Sequence, residues 1–150
     1  MTREPEIAEL LPHRGAMQLL SRVLTHDARG TTCEVEPARA QLFRRDDGGL
    51  PCWVAIEWMA QCAGVHGALA ARAQGERIEI GFLVGSRRCR FAAPRVPDVA
   101  SLVVSAAPER SAGGLRTFSC RVTTTSGELV AEGSVGVFIP PDAIVPVGAR

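Results

Sequence analysis

Apolar and polar positions divide the chain into a short helical opening, two alternating runs, one long apolar stretch and four further strand-like runs. In the first ten residues, Ile7, Leu10 and Leu11 form one side of a short amphipathic helix that Pro12 stops, leaving His13 in a turn. MQLLSRVLTHD and TTCEVEP are β-type runs on either side of the Arg29-Gly30 turn, which predicts a hairpin. The segment from Ala38 to Pro51, with Arg44, Arg45, Asp46, Asp47, Gly48 and Gly49 in succession, reads as an exposed loop. From Leu50 to Leu69 the sequence LPCWVAIEWMAQCAGVHGAL predicts a helix whose residues are small or apolar on nearly every side, so other structure must enclose it. Gly64 and Gly67 each cost about 1 kcal/mol of helix propensity, and close packing against a sheet is the expected compensation. After Gly75, RIEIGFLVGSRRCRF, ASLVVSAAPE, LRTFSCRVTTTS and LVAEGSVGVFI read as strands, with turns at Pro94-Pro97, Gly113-Gly114 and Ser126-Gly127.

One hairpin, one buried helix and four long strands make an α+β plan: a single domain over residues 1–150 in which an antiparallel sheet wraps a long central helix, the hot-dog arrangement. A chain of 150 residues with 46% hydrophobic composition supports one core of that size. The net charge of +1 gives no electrostatic footprint for nucleic acid. All 17 basic residues are arginine, and lysine and tyrosine are absent, which reads as genomic composition rather than as a sign of activity. Cys33, Cys52, Cys62, Cys89 and Cys120 are odd in number, lack metal-ligand spacing and lie in apolar segments, so they read as small core residues of a reducing cytoplasm. MTREPEIAELLPHRG lacks the uninterrupted apolar run of a signal peptide, and the long apolar window carries Glu57, Gln61 and His66, so neither export nor a membrane span is predicted.

Glu57 stands out in that helix, since a carboxylate among apolar residues is costly unless it is paired or does chemistry. The surrounding residues carry a family resemblance. LLPHRGAMQLLSRVL resembles the LPHR…LLDRV opening of 3-hydroxyacyl-acyl-carrier-protein dehydratases of the FabA/FabZ type, and LPCWVAIEWMAQ resembles their FPGVLxxEAMAQ helix start with the same spacing from Pro51 to Glu57. GFLVGSRRCRFAAPRVPD is similar to their Arg-Phe…Pro…Pro-Gly-Asp segment, so the likeness runs in order from Leu10 to about Val137. GLPCWVAIEWMAQ followed by GFLVGSRR is similar more narrowly to the ApeP-like dehydratases of aryl-polyene biosynthesis. The resemblance implies a cytoplasmic dimer without cofactor or metal, acting on an acyl group held by acyl carrier protein.

It also implies a site. Glu57 is the catalytic carboxylate, and the backbone N–H of Cys52, the residue after the proline, takes the oxyanion contact by resemblance. Helix-start N–H groups around Cys52 and Trp53 suit that role on physical grounds, with the helix dipole behind them. Gln61, one turn beyond Glu57 on the same face, either holds the carboxylate or substrate or makes a helix-to-sheet hydrogen bond. Family members place a catalytic histidine in a Gly-His-Phe-Pro loop before the helix, but the loop AQLFRRDDGGLP has none, and Phe43 falls at that position. Removing water from a 3-hydroxyacyl thioester needs both a base and an acid.

Three histidines compete for the second role. His66 lies about half a turn out of phase with Glu57 at 3.6 residues per turn. His26, beside Asp27, reads as solvated. His13 remains, either as the acid/base partner or as a hydrogen-bonding member of its turn. Cys52 as a nucleophile would need an adjacent base that the sequence does not supply. Trp53 and Trp58 either line an acyl tunnel or pack the core, and Arg44, Arg45, Arg87, Arg88, Arg90 and Arg95 form either a carrier-protein rim or a solvated face. The expected function is dehydration of a carrier-bound 3-hydroxyacyl thioester. The alternatives are a half-catalytic subunit of a heterodimeric dehydratase, completed by a second dehydratase chain, and a hot-dog thioesterase.

Overall fold

The computed structural model describes residues 3–141. Helix α1 spans Ile7–Leu10 and buries Ile7 and Leu10, with Leu11 buried just beyond it. Strands β1 (Leu20–Asp27) and β2 (Gly30–Val35) form the predicted hairpin. The Asp27 carboxylate closes its turn by accepting from the N–H groups of Arg29 at 2.7 Å and Gly30 at 3.2 Å. The segment that reads as an open loop is partly ordered instead: two 3-10 turns, Pro37–Arg39 and Gln41–Phe43, seat Pro37 and Ala40 in the interior before the exposed run from Arg45 to Gly48.

The long helix begins after Pro51 as a 3-10 turn, Cys52–Val54, and continues as α2, Ala55–Ala73. It therefore starts later and ends later than its apolar pattern suggests. Gly75, at φ +69°, ends it in the left-handed conformation, with Glu76 N–H donating to Ala71 O at 2.8 Å. Strands β3 (Phe82–Phe91), β4 (Leu102–Ala112), β5 (Leu115–Thr124) and β6 (Leu129–Phe138) follow. The expected strand from Arg77 begins only at Phe82, whose ladder partner is Phe138; beyond that rung lie Ile139, Pro140 and Pro141, and prolines have no N–H to continue a ladder.

All six strands form one antiparallel sheet in the order β1-β2-β4-β5-β6-β3. It curls around α2, which gives the hot-dog domain. Trp58, Met59, Cys62 and Val65 of the helix pack with Leu19, Leu20, Val35, Leu102, Val104 and Val122, all fully buried. The alternating burial of β2 and β4 sets which face of the sheet receives the helix. The five cysteines are free, four of them buried. The Cys33 thiol beside it, together with burial, pushes Cys62 well above the ordinary thiol range, and burial pushes Cys120 up to about 12. These thiols are inert packing groups at neutral pH.

Candidate active site

Glu57 lies in the first turn of α2, and His13 lies in the turn after α1. Packing α1 against α2 through Leu10 and Leu11 brings the His13 Nε2 to 3.6 Å from Glu57 Oε1. That is too long for a hydrogen bond, and both side chains keep about a third of their surface open (32% and 27%), so a small group can reach both. Arg14 fixes the turn by donating from Nη1 to Leu11 O at 2.7 Å and His13 O at 2.8 Å.

Gln61 organises the site from behind and is only 1% exposed. Its Nε2 donates to Glu57 Oε1 at 3.1 Å and to Met17 O at 2.8 Å, while its Oε1 accepts from Leu19 N–H at 3.2 Å. It bonds the carboxylate and ties the helix to the chain entering β1, at Met17 and Leu19 rather than at a strand residue. The anchors at Met17 and Leu19 are backbone groups and left no mark in the sequence. Gln61 and His13 both approach Glu57 through Oε1, and Oε2 has no hydrogen bond among the described residues.

Burial lowers the His13 pKa from its ordinary 6.5, with Glu57 opposing the shift and Arg14 adding to it, so the imidazole is neutral at pH 7. A neutral ring carries one N–H. His13 Nδ1 is buried with no partner among the described residues, so a proton there would be an unsatisfied donor costing about 1–3 kcal/mol. A tautomer with its proton on Nε2 turns that N–H towards the Glu57 carboxylate, 3.6 Å away.

A cavity of about 80 Å³ lies over this pair, lined by Leu10, Leu11, His13, Glu57, Ala60 and Gln61 among others. It shares Gly64, Glu79, Gly81 and Val137 with a second cavity of about 230 Å³ that follows the small residues Ala63, Gly67, Ala70 and Ala71 along α2. Of the two glycines, Gly64 admits Leu11, whose Cδ2 would lie 2.9 Å from a Cβ there, rather than a strand as expected, and Gly67 leaves space beside the cavity.

Other candidates are placed differently. Cys52 N–H donates to Pro94 O at 2.9 Å, so a backbone donor expected for substrate is committed to the fold in this chain. Its thiol points at Val130 O, 3.6 Å away, and burial raises its pKa, which removes it as a nucleophile. No described residue accepts from the Trp53 N–H, one position further on. The Trp53 ring is half exposed and meets Phe43 edge to face at 6.0 Å, while Trp58 is fully buried core. An aromatic cluster, not an imidazole, thus occupies the loop position where the family histidine is expected.

His66 is remote from Glu57 and bonds through Nδ1 to Thr31 Oγ1 at 2.9 Å. His26 is not simply solvated: its Nδ1 lies 2.7 Å from the same hydroxyl, because the hairpin turn leans on the helix. No cluster of three or more metal-ligating side chains occurs among the described residues, nor any helix long and apolar enough to cross a membrane.

The family model for ApeP-like proteins, described as ApeP dehydratase, matches residues 5–145. The chain belongs to the ApeP dehydratase family. Among relatives of this ApeP-like chain, the 3-hydroxyacyl-[acyl-carrier-protein] dehydratase FabZ of Agrobacterium fabrum is 30% identical over 143 residues, covering 91% of this chain and 89% of that protein. The dehydratase heterocomplex ApeI:P of Xenorhabdus doucetiae contains a similar structure with a TM-score of 0.85, 25% identity and 95% coverage of each chain. A hypothetical thioesterase crystallised with coenzyme A, from Streptococcus pneumoniae, shares the fold at a TM-score of 0.61 and 8% identity, over 79% of this ApeP-like chain and 84% of its own.

Proposed function

We propose that this protein removes water from 3-hydroxyacyl thioesters carried on acyl carrier protein, in aryl-polyene or fatty-acid-like synthesis. The observation that carries the reading is the Glu57 carboxylate, held by Gln61 and faced by His13 Nε2 in a half-open cavity. Glu57 Oε2 takes the proton from C2 of the substrate, and the electron pair passes into the thioester as an enolate. The Trp53 N–H, unlike that of Cys52, is available to the enolate oxygen. Collapse of the enolate forms the C2–C3 double bond and expels the C3 hydroxyl. His13 Nε2–H steadies the departing oxygen, and the proton on Glu57 completes the water molecule. Glu57 thereby fills the base and acid roles in succession.

The Agrobacterium relative named as a 3-hydroxyacyl-carrier-protein dehydratase supports the substrate class. Arg44 and Arg45, with Arg87 and Arg88, have no ion pair among the described residues and suit an acidic carrier, whereas Arg90 and Arg95 are already paired with Glu132 and Asp47. The free cysteines suit the reducing cytoplasm in which such carriers work. The test is mass spectrometry of a 3-hydroxyacyl carrier protein: the wild-type chain yields the enoyl product and E57Q does not. Full activity in E57Q sinks the assignment, and release of free thiol in place of an enoyl product would make the chain a thioesterase.

A second reading gives the chain a companion. Phe43 at the place of the loop histidine and the likeness to a chain of a dehydratase heterocomplex favour a two-chain enzyme in which another dehydratase donates an imidazole. Activity that appears only on mixing with that companion supports it, whereas full activity of the pure chain excludes it.

A further inference from the structure

His26 and His66, which the dehydration chemistry leaves unused, meet on one buried hydroxyl. Thr31 is 1% exposed, and its Oγ1 lies 2.7 Å from His26 Nδ1 and 2.9 Å from His66 Nδ1. The two rings stand 5.1 Å apart between centroids, and Phe118 of β5 meets His66 edge on at 6.0 Å. His66 projects from α2 and is buried, whereas His26 faces Thr31 across the β1–β2 ladder near its turn and is exposed. The hairpin is therefore tied to α2 at two places. Gln61 Oε1 accepts from the Leu19 N–H just before β1, and His66 holds Thr31 at the turn end.

A hydroxyl has one proton to give, and this limits what the bridge can hold. With both rings neutral, Thr31 donates to one Nδ1 and accepts from the other, so the rings carry opposite tautomers. One added proton fits on His26, which keeps its solvent contact: the charged ring donates from Nδ1 to Thr31 Oγ1, and the hydroxyl donates to neutral His66. A second proton does not fit. Both Nδ1 atoms are then donors, the buried hydroxyl proton has no acceptor among the described residues, and two cations face each other. The surrounding groups do little to offset this. The Asp27 carboxylate of the turn is engaged by the Arg29 and Gly30 N–H groups, β4 places uncharged Ala106 opposite Thr31, and Arg116 of β5, which reaches α2 beside Gly67, is faced by Glu79 at 3.8 Å. Burial and then the charge of His26 lower the His66 pKa from 6.5, against the opposing pull of Asp27.

We infer that His26, Thr31 and His66 form a proton-operated latch, which fastens the turn end of the β1–β2 hairpin to α2 while its histidines carry at most one charge and releases it when His66 takes the second proton. Because the folded His66 binds that proton below its ordinary range, the latch is shut above about 6.5 and opens as pH falls through the folded value. The Gln61 anchor contains no group of this cluster, so the opening is local: the turn end leaves the helix while the Leu19 end stays. The inference stands apart from the dehydratase reading.

The test joins imidazole nitrogen NMR of the wild type to backbone hydrogen exchange corrected for its intrinsic pH dependence. At about pH 7.5 the two rings show opposite tautomers; the same tautomer in both overturns the inference. At the pH where the NMR shows His66 charged, protection falls at least about tenfold more at residues 24–32 than at residues 19–22 and in β5 and β6. A uniform fall or none overturns the inference, as does a His66 that stays neutral until the whole domain unfolds. His66→Asn keeps a hydrogen-bonding group near the Nδ1 position without a titrating one, so the selective loss disappears; its persistence in full overturns the latch. Thr31→Val removes the bridge and lowers protection of the turn end already at about pH 7.5, and wild-type protection there overturns the inference even where His66→Asn fails to fold. His13→Gln retains the selective loss, which separates this cluster from the titration beside Glu57; disappearance of the loss in that variant assigns it to His13 and overturns the latch.

Discussion

Glu57 depends on a neighbour that is itself fully buried, and this couples chemistry to stability at the level of single residues. Gln61→Ala removes three hydrogen bonds and strands Met17 O and Leu19 N–H, so it should cost about 2–4 kcal/mol of stability and lower kcat, seen in urea titrations beside turnover assays. Glu57→Gln keeps the shape and loses the proton carrier; its turnover should fall about 10²–10⁴-fold while its fold, followed by circular dichroism, is unchanged. His13→Gln separates the two-role carboxylate from a dyad, because only a steadying group is lost and the fall in kcat should be smaller than for Glu57→Gln in the same assay.

The same residues fix a pH dependence. Burial lowers the pKa of His13, and burial followed by the charge of His26 lowers that of His66, against an ordinary value of 6.5. A folded pKa below the unfolded one means that the unfolded chain binds more protons in the interval between them. Stability from these groups is then fully present above about 6.5 and is lost as pH falls through their folded values. The thermal midpoint should fall from pH 7 towards pH 5, and His13→Gln should flatten part of that slope.

At the scale of elements, β3 lies close against β6 because residue 133 has no side chain. A Cβ there would meet Cys89 Sγ at 2.6 Å and Cys89 Cα at 3.0 Å. Gly133→Ala should therefore push the charged half of β3 outward and cost about 1–3 kcal/mol, read as a lower urea midpoint at unchanged slope. The elements were largely legible in the sequence, since two- and 3.6-residue periodicities show directly in side-chain chemistry: the hairpin, the enclosed helix and the four later strands appear where their patterns lie. Their ends were less so. The start of β3 at Phe82 depends on where its neighbour β6 runs into Pro140, 58 residues away.

For the whole molecule, the sheet order β1-β2-β4-β5-β6-β3 sends the strand that follows the helix to the far edge, and this leaves its apolar half uncovered. The same curl buries Trp58 completely at the centre of the core. Trp58→Ala should cost about 3–5 kcal/mol, enough to exhaust much of a small domain's stability and to abolish cooperative thermal unfolding. The site too is a product of this scale: α1, the turn after it and the first turn of α2 meet only because the domain closes around the helix.

The sequence by itself determined the α+β plan, the enclosure of the long helix, the family and the prominence of Glu57, because each is written in local patterns or in residues at short fixed spacing. Only the tertiary structure decided that His13 faces Glu57, that Gln61 serves the carboxylate and the backbone at once, that Cys52 N–H belongs to Pro94 O, and that His66 belongs to Thr31. Each is a contact between groups distant in the chain, and a hydrogen-bond donor carries no sign in its own residue type of the acceptor that folding will bring to it.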